Sequence, residues 1–210
     1  MEYAIIFLPL IGSLLGYLGK SLSKYFAEIF TSLLVSTSAV LSIFVFWNGI
    51  KNNIYGNYKI FEWISSGGFT ANWSINIDPL SSVMLVVVTF VSALVHIYSI
   101  GYMSHDPHKP RFMSYLSLFT FSMLALVVSD NFLQLFFGWE GVGLCSYLLI
   151  GFWYKKETAN NAAIKAFIVN RIGDFGLAVA IFLIFFFFGT INFNEVFQVT
   201  SQFTEKKIFF

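Results

Sequence analysis

A single carboxylate, Glu140, lies near the middle of an otherwise uncharged apolar run over residues 131–153. A helix rises about 1.5 Å per residue, so Glu140 lies about 15 Å from the start of that run, near the midplane of a ~30 Å hydrocarbon core. An ionised carboxylate at that depth costs roughly 2.5–3.5 kcal/mol on insertion scales. A segment that only anchors the chain does not need a side chain whose insertion into the bilayer costs free energy. We therefore expect Glu140 to bind and release a proton.

Composition indicates an integral membrane protein that lies in a lipid bilayer. Only 11% of the 210 residues are charged, whereas soluble domains carry about 25%. The net charge of +1 argues against a nucleic-acid partner. The single Cys145 excludes an internal disulfide and a multi-cysteine metal site. The loop at 105–108 contains two histidines but has no helical register, so we expect no metal there either.

Six apolar runs are long enough to cross a bilayer, which predicts an all-α membrane protein with about six transmembrane helices. Asp78 and Pro79 suit the cap and the first position of the third helix. The tight connection at 129–131 is expected to cap the fifth. The runs are residues 3–19, 26–50, 79–100, 111–128, 131–153 and 158–188.

Two segments outside these spans also have residue patterns that predict secondary structure. Residues 58–77 alternate around Gly67-Gly68, which predicts an extramembrane β-hairpin between spans two and three. Residues 191–197 have helical spacing with polar interruptions, which predicts an interfacial amphipathic helix. The expected domains are a helical hairpin with the β-hairpin over 1–77, a helical core over 78–189, and an interfacial helix with its tail over 190–210.

Basic residues in the loops predict the orientation of the chain. Applied to them, the positive-inside rule places the odd-numbered loops inside, and the N-terminus and the β-hairpin outside. The basic residues assigned to the inner side are Lys20, Lys24, Lys109, Arg111, Lys155 and Lys156.

Span six carries further charges within its apolar run. Arg171 and Asp174 are three residues apart and share a helix face, so they can form an ion pair that faces the bundle interior. This pair either clamps the helices together or tunes protons beside Glu140. Lys165 either snorkels to the inner surface or acts as a buried proton carrier. His96, near the inner end of span three, is either a proton-entry relay or an interfacial histidine.

Small residues surround Glu140 on its own helix. Gly138, Gly141 and Cys145 form a strip on the side away from the carboxylate, which would let another helix approach closely. The run GWEGVG at 138–143 follows no strand and lies inside a span, so we do not expect it to bind a dinucleotide.

Several motifs together resemble one family, the subunit L (chain 5) family of proton-pumping NADH–quinone oxidoreductase, or respiratory complex I. The large subunit of multisubunit sodium/proton antiporters is a similar protein and ranks second, since the glycine-rich surround of Glu140 is not expected there. The motifs are YMSHDP at 102–107, NFLQLFFGWEGVG at 131–143, NNAAIKAF at 160–167 and NRIGD at 170–174.

The resemblance implies an antiporter-like subunit that couples NADH:quinone electron transfer to proton pumping through buried charges. Glu140 matches the family's glutamate of span five, and Arg171 and Asp174 match its charged pair of span six. Lys165 falls in the same family stretch. NADH, quinone, FMN and iron–sulfur clusters are then expected in other subunits, and this chain is expected to bind no cofactor.

The resemblance also implies a location and a set of partners. The expected membrane is the bacterial inner membrane, or alternatively the mitochondrial inner membrane. The expected partners are other membrane-arm subunits, especially the adjacent antiporter-like subunit. Family members are about three times longer and contain two inverted repeats of five helices. We therefore expect these residues to form an incomplete, N-terminal part of the antiporter-like fold.

Overall fold

The computed structural model describes residues 1–19 and 25–207, and side chains up to residue 200. Lys20 and Lys24, used above for orientation, lie outside the described residues. The elements of this described part are, in chain order, α1 (Glu2–Leu18), α2 (Phe26–Asn52), β1 (Gly56–Ser66), β2 (Phe69–Ile77), α3 (Pro79–Tyr102), α4 (Lys109–Val127), α5 (Phe132–Ile150), α6 (Glu157–Phe188) and α7 (Phe193–Lys207).

The predicted all-α membrane architecture is confirmed. Within the described residues, the five helices α2 to α6 are long and apolar enough to cross a membrane. Helix α1 is apolar but has only 17 residues, which corresponds to about 25 Å. Helix α4 begins at Lys109, two residues before the predicted start of span four.

The main core lies among helices α1 to α4. Ile5, Leu85 and Leu124 come from three of these helices and are at most 1% exposed in one cluster. Ile75 and Ile77 of β2 join the same cluster. The β-hairpin therefore packs on the bundle instead of standing free of it.

Hydroxyl groups also join these helices. Ser42 of α2 lies 2.7 Å from the Thr89 hydroxyl of α3, and Ser13 of α1 lies 3.1 Å from the Ser114 hydroxyl of α4. All four residues are buried. Since lipid tails are as apolar as leucine, helices in a membrane associate through such close polar contacts and through tight packing.

The small-residue strip of α5 is in close contact with another helix, as predicted, and that helix is α4. A Cβ atom added at Gly138 would lie 2.6 Å from the backbone nitrogen of Leu126, and one at Gly141 would lie 2.8 Å from the Ser122 hydroxyl. Cys145 is 1% exposed. The two helices are in contact at their backbones here, which leaves the Glu140 side of α5 free to face α6.

The predicted β-hairpin and helix caps are confirmed. Strands β1 and β2 pair in antiparallel fashion around a turn in which Gly67 has φ +57°, a conformation that favours glycine. Asp78 accepts a hydrogen bond from the backbone of Ser81 at 2.6 Å, and Asn131 accepts one from Gln134 at 2.8 Å. These caps satisfy amide groups at the starts of α3 and α5.

The hairpin marks one end of the bundle, which we call the hairpin end. The backbone nitrogen of Asn76 in β2 donates to the Val128 carbonyl at the end of α4, at 2.9 Å. Gln134 of α5 donates to the Ser74 carbonyl at 2.7 Å and accepts from its nitrogen at 3.0 Å. We call the opposite end the basic end, and the described basic residues there are Lys109, Arg111, Lys155 and Lys156.

The chain turns sharply after α6. Gly189 has φ +70° and ends the helix, and Asn192 then pairs with Asn131 in an isolated β-bridge. Helix α7 follows, so the predicted C-terminal helix is present. Its placement at a membrane surface and the three-part domain division both stay predictions.

Candidate functional site

The Arg171 guanidinium of α6 lies between two carboxylates. Its Nη1 atom donates a hydrogen bond to Oε2 of Glu140 on α5. The same Nη1 atom lies 3.9 Å from Oδ2 of Asp174, one turn further along α6. The structure therefore brings together three residues that the sequence singled out, and Glu140 is the closer partner of the cation.

Trp139 holds the second carboxylate from the other side. Its indole Nε1 donates to Oδ1 of Asp174 at 2.7 Å. Asp174 is only 7% exposed, so the indole hydrogen bond and the nearby guanidinium both matter, because an unpaired buried charge is costly. One oxygen thus faces the indole and the other faces Arg171.

An aromatic ring supports the guanidinium. Phe167 precedes Arg171 by one helical turn, and its ring centroid lies 4.7 Å from the guanidinium carbon. The same ring lies 5.2 Å from the Tyr147 ring of α5. A cation over an aromatic face is stabilised by the ring quadrupole, so Phe167 favours this position of the guanidinium.

The helical period explains why these side chains meet. Phe167, Arg171 and Asp174 are spaced i, i+4 and i+7, so they form one stripe on α6. Trp139 and Glu140 are neighbours on α5, and they reach two different members of this stripe. Trp139 of α5 thus contacts Asp174 of α6, and its neighbour Glu140 contacts Arg171 of α6.

The cluster is not fully enclosed by the described residues. The Arg171 side chain is 45% exposed and the Glu140 side chain is 21% exposed. Further along α6, a Cβ atom added at Gly173 or Gly176 would meet nothing within 4 Å. The described residues thus leave Arg171 partly accessible, and they also leave α6 uncovered at Gly173 and Gly176, which point to other sides of the helix.

Lys165 and His96 are not part of this cluster. Lys165 is exposed on α6, and none of the ion pairs in the described part of the chain includes it. His96 is fully buried, with Nε2 3.0 Å from the Ser117 hydroxyl of α4 and Nδ1 2.8 Å from the Ser92 carbonyl of α3. Their roles in proton transfer stay predictions.

Sequence reasoning missed one buried ion pair. Lys109 Nζ lies 2.5 Å from Oε1 of Glu28, and both side chains are at most 7% exposed. The polar residues around Lys109 predict a loop position, whereas Lys109 is the first residue of α4 and its side chain contacts Glu28 of α2. A signal was available, because Glu28 is the only charged residue in the run 26–50.

The structure offers no evident metal site in the part it describes. No group of three or more His, Cys, Asp or Glu side chains is close enough to hold an ion there.

The chemistry that the Glu140, Arg171 and Asp174 cluster can perform is the exchange of a proton and the shift of a cation between two carboxylates.

The fold is similar to that of chains in two solved membrane complexes. One is the membrane-bound sulfane sulfur reductase, an archaeal respiratory complex, with a TM-score of 0.78 and 19% identity. The match covers 93% of this chain and 39% of the other. The second is the Mrp complex from Dietzia sp. DQ12-45-1b, with a TM-score of 0.78 and 22% identity over 93% of this chain and 20% of that one.

Sequence relatives are much closer. NADH-ubiquinone oxidoreductase chain 5 of Triticum aestivum is 53% identical over 96% of this chain, and that of Arabidopsis thaliana is 52% identical over 96%. NADH-quinone oxidoreductase subunit L of Rickettsia bellii is 49% identical over 97%. The chain spans 30% to 32% of the length of these relatives.

Two family descriptions match successive parts of the chain. Residues 63–113 match the family described as NADH-ubiquinone oxidoreductase (complex I), chain 5 N-terminus. Residues 129–210 match the family described as NADH:quinone oxidoreductase/Mrp antiporter, TM, and this segment contains the whole charged cluster. The chain therefore belongs to the chain 5 (subunit L) family of NADH–quinone oxidoreductase.

Proposed function

We propose that this chain is part of a proton-translocating membrane subunit of NADH–quinone oxidoreductase, in which Glu140 is the proton carrier. The observation that supports this most directly is the position of Arg171 between Glu140 and Asp174. One cation with two acceptors has two alternative positions, and each position leaves Glu140 in a different electrostatic environment.

The proposed cycle depends on movement of the Arg171 side chain. An opposite charge within about 4–6 Å favours the ionised form of a carboxyl group, whereas desolvation favours the neutral form. When Arg171 contacts Glu140, the glutamate stays ionised. When Arg171 moves to Asp174, Glu140 loses its partner and takes up a proton. A difference of about 1.4 kcal/mol between the two states changes the protonated-to-ionised ratio tenfold.

In this scheme Asp174 is the second acceptor for the Arg171 guanidinium, and Trp139 holds Asp174 in position. The indole hydrogen bond occupies one oxygen of Asp174 and leaves the other for Arg171. We assign Lys165 and His96 as further proton carriers, Lys165 on the exposed face of α6 and His96 between α3 and α4. Neither contacts Glu140, so each would act through water or through groups beyond the described residues.

The proposal includes the surroundings of the chain. Its partners are other membrane-arm subunits, among them the adjacent antiporter-like subunit. NADH, FMN, iron–sulfur clusters and quinone bind elsewhere in the complex. The basic end faces the inside of a bacterial or mitochondrial inner membrane, and the N-terminus and β-hairpin face outward, in accord with the positive-inside rule.

A sodium/proton antiporter subunit is the second candidate function. The fold is shared with the Mrp complex, so the fold alone does not separate the two. The identity of about half of all residues to relatives named as chain 5 or subunit L favours the first. Sodium-dependent proton flux in the absence of NADH and quinone would favour the antiporter.

The decisive variant is Glu140→Gln, made in the intact membrane complex. It keeps the shape of the side chain and one acceptor for Arg171 but removes the titrating group. We expect proton pumping to be lost while the assembled complex persists on native gels. Glu62→Gln, at an exposed position on β1, is the matched control and should pump normally.

Two outcomes would contradict the proposal. If Glu140→Gln pumps protons at the wild-type rate, Glu140 is not the carrier. If pumping and the amount of assembled complex fall in proportion, the charges only hold helices together.

A further inference from the structure

A polar cavity lies at the basic end, apart from the charged cluster. Its volume is about 210 Å³, and it lies between α4, the end of α5 and the start of α6. Since one water molecule takes up about 30 Å³ in the liquid, several waters or one compact anion would fit. Residues that line it include Arg111, Tyr115, Tyr147, Tyr154 and Asn160.

Arg111 is the cation of this cavity. Its guanidinium carbon lies 4.7 Å from the Phe152 ring centroid and 5.3 Å from that of Tyr154, and its Nη2 donates to the Phe152 carbonyl at 3.0 Å. None of the ion pairs among the described residues includes Arg111. A guanidinium has five N–H donors, so most of its hydrogen-bonding capacity is not used by this contact.

Asp106, an acidic residue that lies close enough to Arg111 to sense its charge, has other partners. Asp106 accepts hydrogen bonds from the Trp153 indole at 2.9 Å and from the His108 backbone at 2.7 Å. Partial burial works to raise the pKa of Asp106, but these two hydrogen bonds, together with the nearby charges of His108 and Arg111, hold it below its usual value. The carboxylate is therefore satisfied without an ion pair to Arg111.

Two basic residues and one acidic residue, Glu157, lie in the chain next to the cavity but outside its lining. Lys155 and Lys156 are exposed in the loop between α5 and α6, and Lys156 Nζ lies 5.0 Å from the Trp153 ring centroid. Exposed aromatic and basic side chains at the end of a membrane helix are typical of the level at which lipid headgroups lie. An anion in the cavity would meet Arg111 of the lining, while Lys155 and Lys156 lie outside the lining in the adjacent loop.

We propose that this cavity binds a phosphate group, with Arg111 as its principal ligand. A guanidinium donates parallel hydrogen bonds to two phosphate oxygens, and the hydroxyls of Tyr115 and Tyr147 in the lining supply further donors. The phosphate belongs either to the headgroup of an anionic membrane lipid or to free inorganic phosphate. The site does not depend on the role proposed for Glu140.

The first experiment uses the wild-type complex. It is placed in phosphatidylcholine nanodiscs that contain phosphatidylglycerol with a photoreactive group next to its phosphate, and the cross-linked peptides are mapped. A lipid site predicts labelling within 111–115 or 147–163, and much weaker labelling by the same probe built on phosphatidylcholine. A parallel arm measures binding of radiolabelled inorganic phosphate in nanodiscs of phosphatidylcholine alone.

The variants then assign the site to Arg111. Arg111→Gln should lower labelling, or phosphate binding, by roughly tenfold or more, the scale of one charge-assisted contact. Arg111→Lys keeps the charge without the forked geometry. Its labelling or phosphate binding should lie between that of the wild type and that of Arg111→Gln. Lys59→Gln removes one positive charge at the hairpin end and should bind as wild type does.

The two measurements distinguish a lipid headgroup from free phosphate. Labelling by the phosphatidylglycerol probe at those peptides identifies a lipid headgroup, whereas phosphate binding without such labelling identifies free phosphate. If neither probe binds there, or if Arg111→Gln and Arg111→Lys bind as the wild type does, the proposal is wrong. Should Arg111→Gln fail to assemble, the wild-type map and Arg111→Lys still decide.

Discussion

At the scale of single residues, the position of Asp174 depends on a neutral side chain. The Trp139 indole donates to one carboxylate oxygen and so determines which oxygen is left for Arg171. A hydrogen bond to a charged group contributes about 1.5–3 kcal/mol. The balance of Arg171 between its two acceptors should therefore respond to a change at Trp139, although Trp139 carries no charge.

We predict that Trp139→Phe slows proton pumping by roughly tenfold, because the unpaired Asp174 oxygen then draws Arg171 away from Glu140. Pumping is measured in vesicles at matched amounts of assembled complex. Trp47→Phe removes an indole that is 63% exposed on α2 and should leave the rate unchanged. An unaltered rate in Trp139→Phe would show that the indole does not tune the pair.

At the scale of elements, the contact between α4 and α5 positions Glu140. Gly138 precedes Glu140 by two residues, and its Cα faces the backbone of Leu126. Backbone atoms cannot rotate out of the way as side chains can. Any side chain at Gly138 must therefore push the two helices apart and move Glu140 relative to Arg171.

Gly138→Ala should consequently lower both assembly and pumping, since its new Cβ would lie only 2.6–2.7 Å from Leu126 atoms. Gly143→Ala is the matched control on the same helix, because a Cβ there meets nothing within 4 Å. We expect this control to assemble and pump normally. The readouts are subunit content on native gels and proton uptake per assembled complex. Equal behaviour of the two variants would show that the close approach of α4 and α5 is not required.

Local sequence signals predicted the elements well. The cap at Asp78, the glycine turn of the hairpin and the periodicity of span five each depend on neighbouring residues, and each is found as predicted. The contacts between helices were harder to predict. The i,i+3 spacing predicts a pair between Arg171 and Asp174, which lie 3.9 Å apart, whereas the closer partner of Arg171 is Glu140 on α5. Periodicity shows which residues share a face but does not show which helix that face meets.

The Lys109 ion pair illustrates the same limit. Lys109 follows His108 and precedes Pro110 in a polar segment, so its neighbours indicate a solvated loop. Its partner Glu28 lies on α2, and only the packing of α4 against α2 brings the two charges together. The sequence shows Glu28 as a lone charge in an apolar run, but it does not identify Lys109 as its partner.

At the scale of the whole molecule, one buried side chain joins the β-hairpin to the core of the bundle. Gln134 is fully buried, and its amide bonds to both the nitrogen and the carbonyl of Ser74, as a neighbouring strand would. This contact links β2 to α5, and hence the hairpin to the helix that carries Glu140.

We expect Gln134→Leu to loosen the hairpin from the bundle, because two buried backbone groups of Ser74 lose their partners at about 1–3 kcal/mol each. Limited proteolysis should then cleave faster near Gly67-Gly68, where the turn is exposed. Thr70→Val alters an exposed hairpin residue without touching Ser74 and should be cleaved at the wild-type rate. Unchanged cleavage of Gln134→Leu would mean that the remaining contacts suffice.

The exposed cations of α6 have a consequence for how long an unassembled copy of the protein persists in a cell. Lys165 is exposed and belongs to none of the ion pairs among the described residues, and the Arg171 side chain is 45% exposed although it pairs with Glu140. A cation left against acyl chains costs roughly 2.5–3.5 kcal/mol at the bilayer centre. Orphan copies would thus be recognisable to proteases that survey the bilayer, whereas copies sheltered by neighbouring helices would escape. Degradation of the surplus would then keep the supply of this polypeptide matched to that of its neighbours.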